Sequence, residues 1–212
     1  MESFANREGA GIVYDMIKAI QVNKQYLSDI DGAIGDGDHG INMNKGFTLC
    51  ETEIIKSPGD LSYSLKVLSR VLMADIGGSM GPLYGVFFRT MASMCSGKEI
   101  IDGMLFGEML AAGGNAIREI GSAEVGDKTL LDSLVPAEKA FNESIKAGKS
   151  FADALMDMKT AAVEGRDSTK DMVARVGRAS RLGERSKGVL DAGAASCCMI
   201  LQSMAESVSK IL

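Results

Sequence analysis

The strongest constraint on the fold is a helical spacing of apolar residues that recurs along the chain. Ile12, Val13, Met16, Ile17 and Ile20 fall on one helical face, as do Leu61, Leu65, Leu68 and Leu72, and such stripes must be buried against other elements. The same reading places helices near residues 41–56, 82–96, 99–120, 128–147, 151–165 and 192–211, eight in all. Breaks fall at Ser57-Pro58-Gly59-Asp60, Gly77-Gly78, Gly97, Gly126 and Ala147-Gly148, residues that turn the backbone or end helices. No run of strict alternation is long enough for a half-buried strand, so a parallel sheet has no source. Aromatics at 5%, 14 Met, no Trp and 3 Pro suit packed helices better than aromatic-rich strands. With 212 residues and neither a linker-like stretch nor an internal repeat, the expected fold is a single all-α domain spanning residues 1–212.

Charge narrows the partners. A net charge of −5 and a pI near 5.0 give no general attraction to nucleic acid or anionic lipid, which require basic surface. The N-terminal stretch lacks a basic region followed by a long apolar run, and no segment of about 18 apolar residues occurs. A cytosolic location is expected. Cys50, Cys95, Cys197 and Cys198 have no C-x-x-C spacing, and two are adjacent, so they read as buried small hydrophobes and not as a disulfide framework or zinc site.

The segment from Asp31 to Gly40, DGAIGDGDHG, holds three carboxylates among four glycines. Glycines let the backbone bend enough to turn Asp31, Asp36 and Asp38 inward around a hard cation such as Mg²⁺ or Ca²⁺. A solvated acidic loop or an Asp cap on the next helix explains the same residues. An EF-hand does not: counting from Asp36 puts Ile41 at the obligatory glycine and Phe47 at the bidentate glutamate. His39, the only histidine, reads as a hydrogen-bonding residue beside an anion and not as a metal ligand. Asn42 and Asn44 follow on the first turn of a helix, whose free N–H groups favour negative charge.

Other loops could contribute. Gly77-Gly78-Ser79-Met80-Gly81-Pro82 opens a helix with Pro82 at a plausible first position, and either seats a phosphate or is only a turn. Neither a Walker-type phosphate loop nor the protein-kinase signatures occur. Gly121 ends one helix and Gly126-Asp127-Lys128-Thr129 starts the next with a natural cap. The stretch RVGRASRLGER, residues 175–185, carries four arginines, which are suited to phosphate or carboxylate oxygens but also to solvent. Asp191-Ala192-Gly193 caps the last helix. The Met-rich stretches read as packing.

Taken together, IGDGDHGINMNKGF, GGSMGPLYG, VGDKT and GRASRLGERSKGVLDAGA resemble the L subunits of dihydroxyacetone kinases, in family order and spacing. The resemblance runs from about Leu27 to the last helix. It implies an eight-helix antiparallel barrel holding ADP or ATP and two Mg²⁺ in loops at one end. By motif position, Asp31, Asp36 and Asp38 would carry the metals and, with Arg178, the catalytic role. His39, Gly40, Ile41, Asn42, Ser79, Met80, Gly121, Leu130, Arg178, Asp191, Ala192 and Gly193 would contact the nucleotide. Met80 stands where the family often has Ser, and Ala192 where it often has Pro; Met cannot donate a hydroxyl hydrogen bond. The resemblance further implies transfer of a phosphoryl group to dihydroxyacetone on a separate K subunit. Tightly retained ADP would be rephosphorylated in place by a phosphohistidine-carrying M subunit. The alternatives are a subunit acting on another short keto-sugar such as erythrulose, a fatty-acid kinase domain, or a regulatory module that contacts a transcription factor.

Overall fold

The computed structural model describes residues 2–212. Among these described residues nine α-helices form the body: α1 (Ala10–Val22), α2 (Lys24–Ile34), α3 (His39–Lys56), α4 (Leu61–Asp75), α5 (Met80–Cys95), α6 (Gly103–Gly121), α7 (Leu131–Lys146), α8 (Phe151–Ser168) and α9 (Ala192–Ser209). The all-α expectation holds, with one helix more than the apolar stripes announced. The addition is α2, whose buried side chains are only Leu27 and Ile34, too few to write a periodic pattern. A short antiparallel pair, β1 (Ser3–Ala5) and β2 (Ile100–Asp102), was also not expected. It delays α6 to Gly103, where the Asp102 carboxylate caps Leu105 N at 2.8 Å. Three residues per strand are too few for alternation to register.

Successive helices from α4 to α9 pack side by side, and α9 meets α1, which packs on α3 and α4 to close a ring. The apolar stripes point inward. Ile12, Val13, Met16, Ile17 and Ile20 are at most 1% exposed, as are Leu65, Leu68 and Leu72, each contributing about 1.5–3 kcal/mol by leaving water. Two aromatic clusters fill the larger gaps. Phe106, Phe141 and Phe151 pack mutually in tilted and edge-on pairs with centroids 5.3–5.7 Å apart; Phe88 lies between Phe47, Tyr84 and Phe87. All four cysteines are buried and unpaired, as the sequence suggested. Among the described residues no helix is long and apolar enough to cross a membrane.

The loops beside the N-termini of α3, α5, α7 and α9 lie around one cavity. Between α8 and α9 the chain makes two 3₁₀ segments, Thr169–Asp171 and Arg178–Ser186, which bring the arginine-rich stretch back over α2.

Candidate functional site

The acidic segment is built differently from the loop expected. Asp31 sits on the last turn of α2, where its carbonyl accepts Gly35 N at 2.5 Å. Gly37 then adopts φ +76°, a left-handed conformation that costs glycine least, and Asp38 occupies the N-cap of α3. Its side chain makes no capping bond, so the capping explanation fails for Asp38. Instead Asp31 Oδ2 accepts His39 N at 3.2 Å, reaching across from α2. Gly40 permits this approach, since a Cβ there would fall 2.7 Å from Ser28 N and nearer still to the Lys24 carbonyl. As a result, oxygens of Asp31, Asp36 and Asp38 lie within 4.8 Å of one another, Asp31 half-buried and the other two exposed. Three anionic groups at that spacing repel unless a cation lies among them. Arg178 supplies one neighbour, pairing with Asp36.

A cavity of about 500 Å³ opens beside these carboxylates. The turn Gly77-Gly78 leads into α5, whose N-cap Ser79 makes no side-chain capping bond, leaving its hydroxyl available. Met80, not Pro82, is the first residue of α5; Pro82 is the third, still within the turn whose N–H groups lack helical partners. Four helices present their N-terminal residues to the cavity: α3 through His39 and Asn42, α5 through Ser79 and Met80, α7 through Leu131, and α9 through Ala192 and Gly193. Converging positive dipole ends favour an anion there. Ile117, Ile120, Leu83, Leu130 and Val176 make the remaining wall apolar, the mixture of a few polar groups on a greasy wall found in cofactor pockets.

Of the expected site residues, Asp31, Asp36, Asp38, His39, Asn42, Ser79, Met80, Gly121, Leu130, Arg178, Asp191, Ala192 and Gly193 all line this one cavity. Gly40 and Ile41 do not. Gly40 is buried against α2, and the Ile41 side chain is 53% exposed; only their backbone amides, on the open first turn of α3, remain for a ligand.

Three buried groups escaped the sequence reading. Lys128 is 2% exposed, and its ammonium donates to the carbonyls of Ser186 at 2.6 Å, Val189 at 2.6 Å and Met172 at 3.3 Å. Burial lowers its pKa, while Asp191 and Asp171 oppose the shift. It therefore ties down the segment that carries Arg178 and Asp191, and it is not part of a helix cap. The helix α7 begins at Leu131, and Asp132 shapes the turn before it by accepting Gly126 N at 2.5 Å and Thr129 N at 2.6 Å. The third group is a pair of hydroxyls. His39 Nε2 lies 2.9 Å from Ser196 Oγ, which lies 2.7 Å from Tyr84 Oη. A lysine after Gly-Asp, and a Tyr and a Ser at helical positions, carry no sequence signal that separates them from surface or packing residues.

Two titratable groups in the wall are displaced. Burial lowers His39 to about 4 against the pull of Asp31, so the ring is uncharged at neutral pH. Asp191 caps α9 by accepting Ala194 N at 2.7 Å. Burial raises it to about 7, with Asp132 and Asp31 adding to the rise and the Ala194 amide and Lys128 opposing it.

Residues 33–206 match the DAK2 domain. The chain belongs to the DAK2-domain family. A family relative in Listeria innocua, the ADP-binding subunit DhaL of PEP-dependent dihydroxyacetone kinase 1, is 38% identical over 194 residues, 91% of this chain and 92% of that protein. The ADP-binding subunit DhaL of the Escherichia coli PEP-dependent dihydroxyacetone kinase is 36% identical over 182 residues, 85% and 87% of the two chains. The resemblance read from the motifs is thereby established. Among solved structures, the dihydroxyacetone kinase of C. freundii in complex with AMP-PNP and Mg²⁺ superimposes with a TM-score of 0.70 at 23% identity. It covers 98% of this chain, which spans 35% of that one. The DAK2 fold is shared.

Proposed function

We propose that this DAK2-domain chain is the nucleotide-binding subunit of a dihydroxyacetone kinase, holding ADP with Mg²⁺ at the carboxylate end of the cavity. The observation that carries the reading is the convergence of Asp31, Asp36 and Asp38 within 4.8 Å at the edge of a cavity ringed by helix N-termini. The donor set fits: all-oxygen, few in number and adjacent to an anion cradle, as Mg²⁺ is commonly held by one or two carboxylates together with substrate phosphates. Magnesium bound there supplies charge neutralisation to the phosphates.

The chain's own residues do the rest by positioning, which is most of what phosphoryl transfer requires. Backbone amides of the Gly77-Gly78 turn and of the first turns of α3, α5 and α9 would hold the phosphates. Arg178, paired with Asp36 in the absence of a cation, would be the side chain to hold a phosphate oxygen, a planar fork suited to the task. Leu83, Ile117, Ile120 and Leu130, the apolar part of the wall, would receive the base. Met80 contributes its amide, and Ser79 the hydroxyl that the family often places one residue later.

Two finer statements extend the reading. The carboxylate cluster would hold two Mg²⁺ ions, and ADP would stay bound through turnover as a cofactor, to be rephosphorylated by the phosphohistidine of an M subunit while a K subunit presents dihydroxyacetone. Dihydroxyacetone is preferred over erythrulose because relatives matched over 85–92% of both chains are named for it. The test is reconstitution with K and M subunits. Catalytic turnover of dihydroxyacetone with no added nucleotide, and ADP released from the purified chain on denaturation, support the reading. Protein purified free of nucleotide, or turnover only with added ATP, overturns the cofactor role.

A further inference from the structure

At the cavity wall, three polar side chains from three helices meet: His39 at the start of α3, Tyr84 in α5 and Ser196 in α9. Tyr84 is 2% exposed and Ser196 0%, so each hydroxyl proton must find an acceptor inside the protein. Tyr84 Oη has two candidates, Ser196 Oγ at 2.7 Å and the Gly193 carbonyl at 3.2 Å. Ser196 Oγ has His39 Nε2 at 2.9 Å and the Gly193 carbonyl at 3.1 Å. Gly193 O lies in the first turn of α9 and is claimed by the helix's own amides. Either hydroxyl can donate across the 2.7 Å contact, and the ring's role follows its tautomer; followed along the shorter contact in each case, the protons run one way, from the phenol to the serine oxygen and from the serine to the ring. Burial pushes the Tyr84 phenol well above its ordinary range, so it remains a donor. Hydrogen bonds aligned in one direction also strengthen one another.

We propose that Tyr84 and Ser196 are positioning residues that hold His39 as its Nδ1–H tautomer, so that the ring offers a neutral N–H to an anionic oxygen in the cavity. Nε2 is committed to Ser196, and His39 lines the cavity, which leaves Nδ1 as the ring nitrogen open to a ligand. Phosphate oxygens only accept hydrogen bonds, and a histidine's free nitrogen is set by the bond the other one makes. The opposite tautomer would aim a lone pair at the phosphate. The inference rests on the nucleotide reading for the identity of the anion, and on the hydrogen-bond geometry alone for the tautomer.

Because His39 is the chain's only histidine, ¹⁵N-labelled protein freed of any tag gives one imidazole pattern in long-range ¹H–¹⁵N spectra. The expected pattern has the proton on Nδ1. In Ser196→Ala and in Tyr84→Phe that pattern becomes a mixture or inverts, Ser196→Thr restores it, and the affinity of Ser196→Ala for ADP with Mg²⁺ drops by roughly tenfold, the worth of one hydrogen bond. A proton on Nε2 in the wild type overturns the proposal, and so does an Nδ1–H pattern that persists in both variants. Should Ser196→Ala not fold, the wild-type tautomer together with Tyr84→Phe still decides. Failure of the wild type to bind ADP, with the Nδ1–H pattern intact, would remove the nucleotide reading and leave the relay standing.

Discussion

Replacing Lys128 by Met tests how the site is held together. The side chain is 2% exposed and donates to three carbonyls from the segment 172–189, two of them at 2.6 Å. Methionine fills a similar volume without a polar head, so packing is kept and the tether is lost. Each charge-assisted bond is worth about 1.5–3 kcal/mol, and the carbonyls left behind carry their own desolvation penalty. Against this stands the cost of keeping an ammonium out of water, which the substitution relieves. The segment can also open and regain solvent, which caps the loss at about 3 kcal/mol. For a chain of this size that corresponds to a drop of roughly 6–12 °C in Tm. The opening should be local: hydrogen exchange accelerates across 172–190 while α4 to α6 keep their protection, and ADP affinity falls because Arg178 and Asp191 are no longer fixed. A variant that melts within a degree or two of the wild type, with unchanged exchange in that segment, would refute the reasoning.

Gly40→Ala drives a methyl group into the Lys24 carbonyl and Ser28, so α2 and α3 must separate; a loss of about 1–3 kcal/mol in urea titration, together with weakened Mg²⁺ binding, is expected. Met80→Ser removes a side chain only 9% exposed and costs roughly 1–2 kcal/mol, yet ADP affinity measured by calorimetry should hold within about threefold, the amide being the working donor. In metal-free protein the two displaced groups act with opposite signs. His39, lowered to about 4, takes up its proton more readily when unfolded, so its contribution to stability falls by up to about 3 kcal/mol as pH drops from 6.5 toward 4. Asp191, raised to about 7, holds its proton more readily when folded, so its contribution falls as pH rises from about 4 toward 7. Urea titrations at several pH values should show a nearly flat wild type, Asp191→Asn gaining stability from pH 4 to 6.5, and His39→Gln losing it over that range; parallel curves for all three would contradict the assignments.

Most of the architecture was legible because burial writes a period: the stripes of α1 and α4 are set by which face meets the ring, and those residues proved buried. What failed was short or locally driven. Helix α2 hides only Leu27 and Ile34, so from sequence it reads as loop, and Asp31 with it. The β1–β2 pair is decided by a long-range contact between Phe4 and Ile101 that no local window contains. At the site, most of the expected residues that line the cavity sit in or beside glycine-rich segments with distinctive motifs. Those that work through others, Lys128, Asp132, Tyr84 and Ser196, act from buried positions where a polar residue looks like any other until its partners are in place. Gly40 shows the reverse, a motif residue whose structural duty is the close approach of two helices.

The dependence of ADP binding on magnesium bears most directly on the role of Asp31, Asp36 and Asp38. Calorimetric titration of nucleotide-stripped protein should show tight ADP binding with Mg²⁺ and a loss of at least about 100-fold, close to 3 kcal/mol, when Mg²⁺ is chelated or Asp36 is replaced by Asn. By linkage, ADP should tighten Mg²⁺ binding by the same factor. Equal ADP affinity with and without Mg²⁺, or an unaltered Asp36→Asn, would contradict the metal-bridged site.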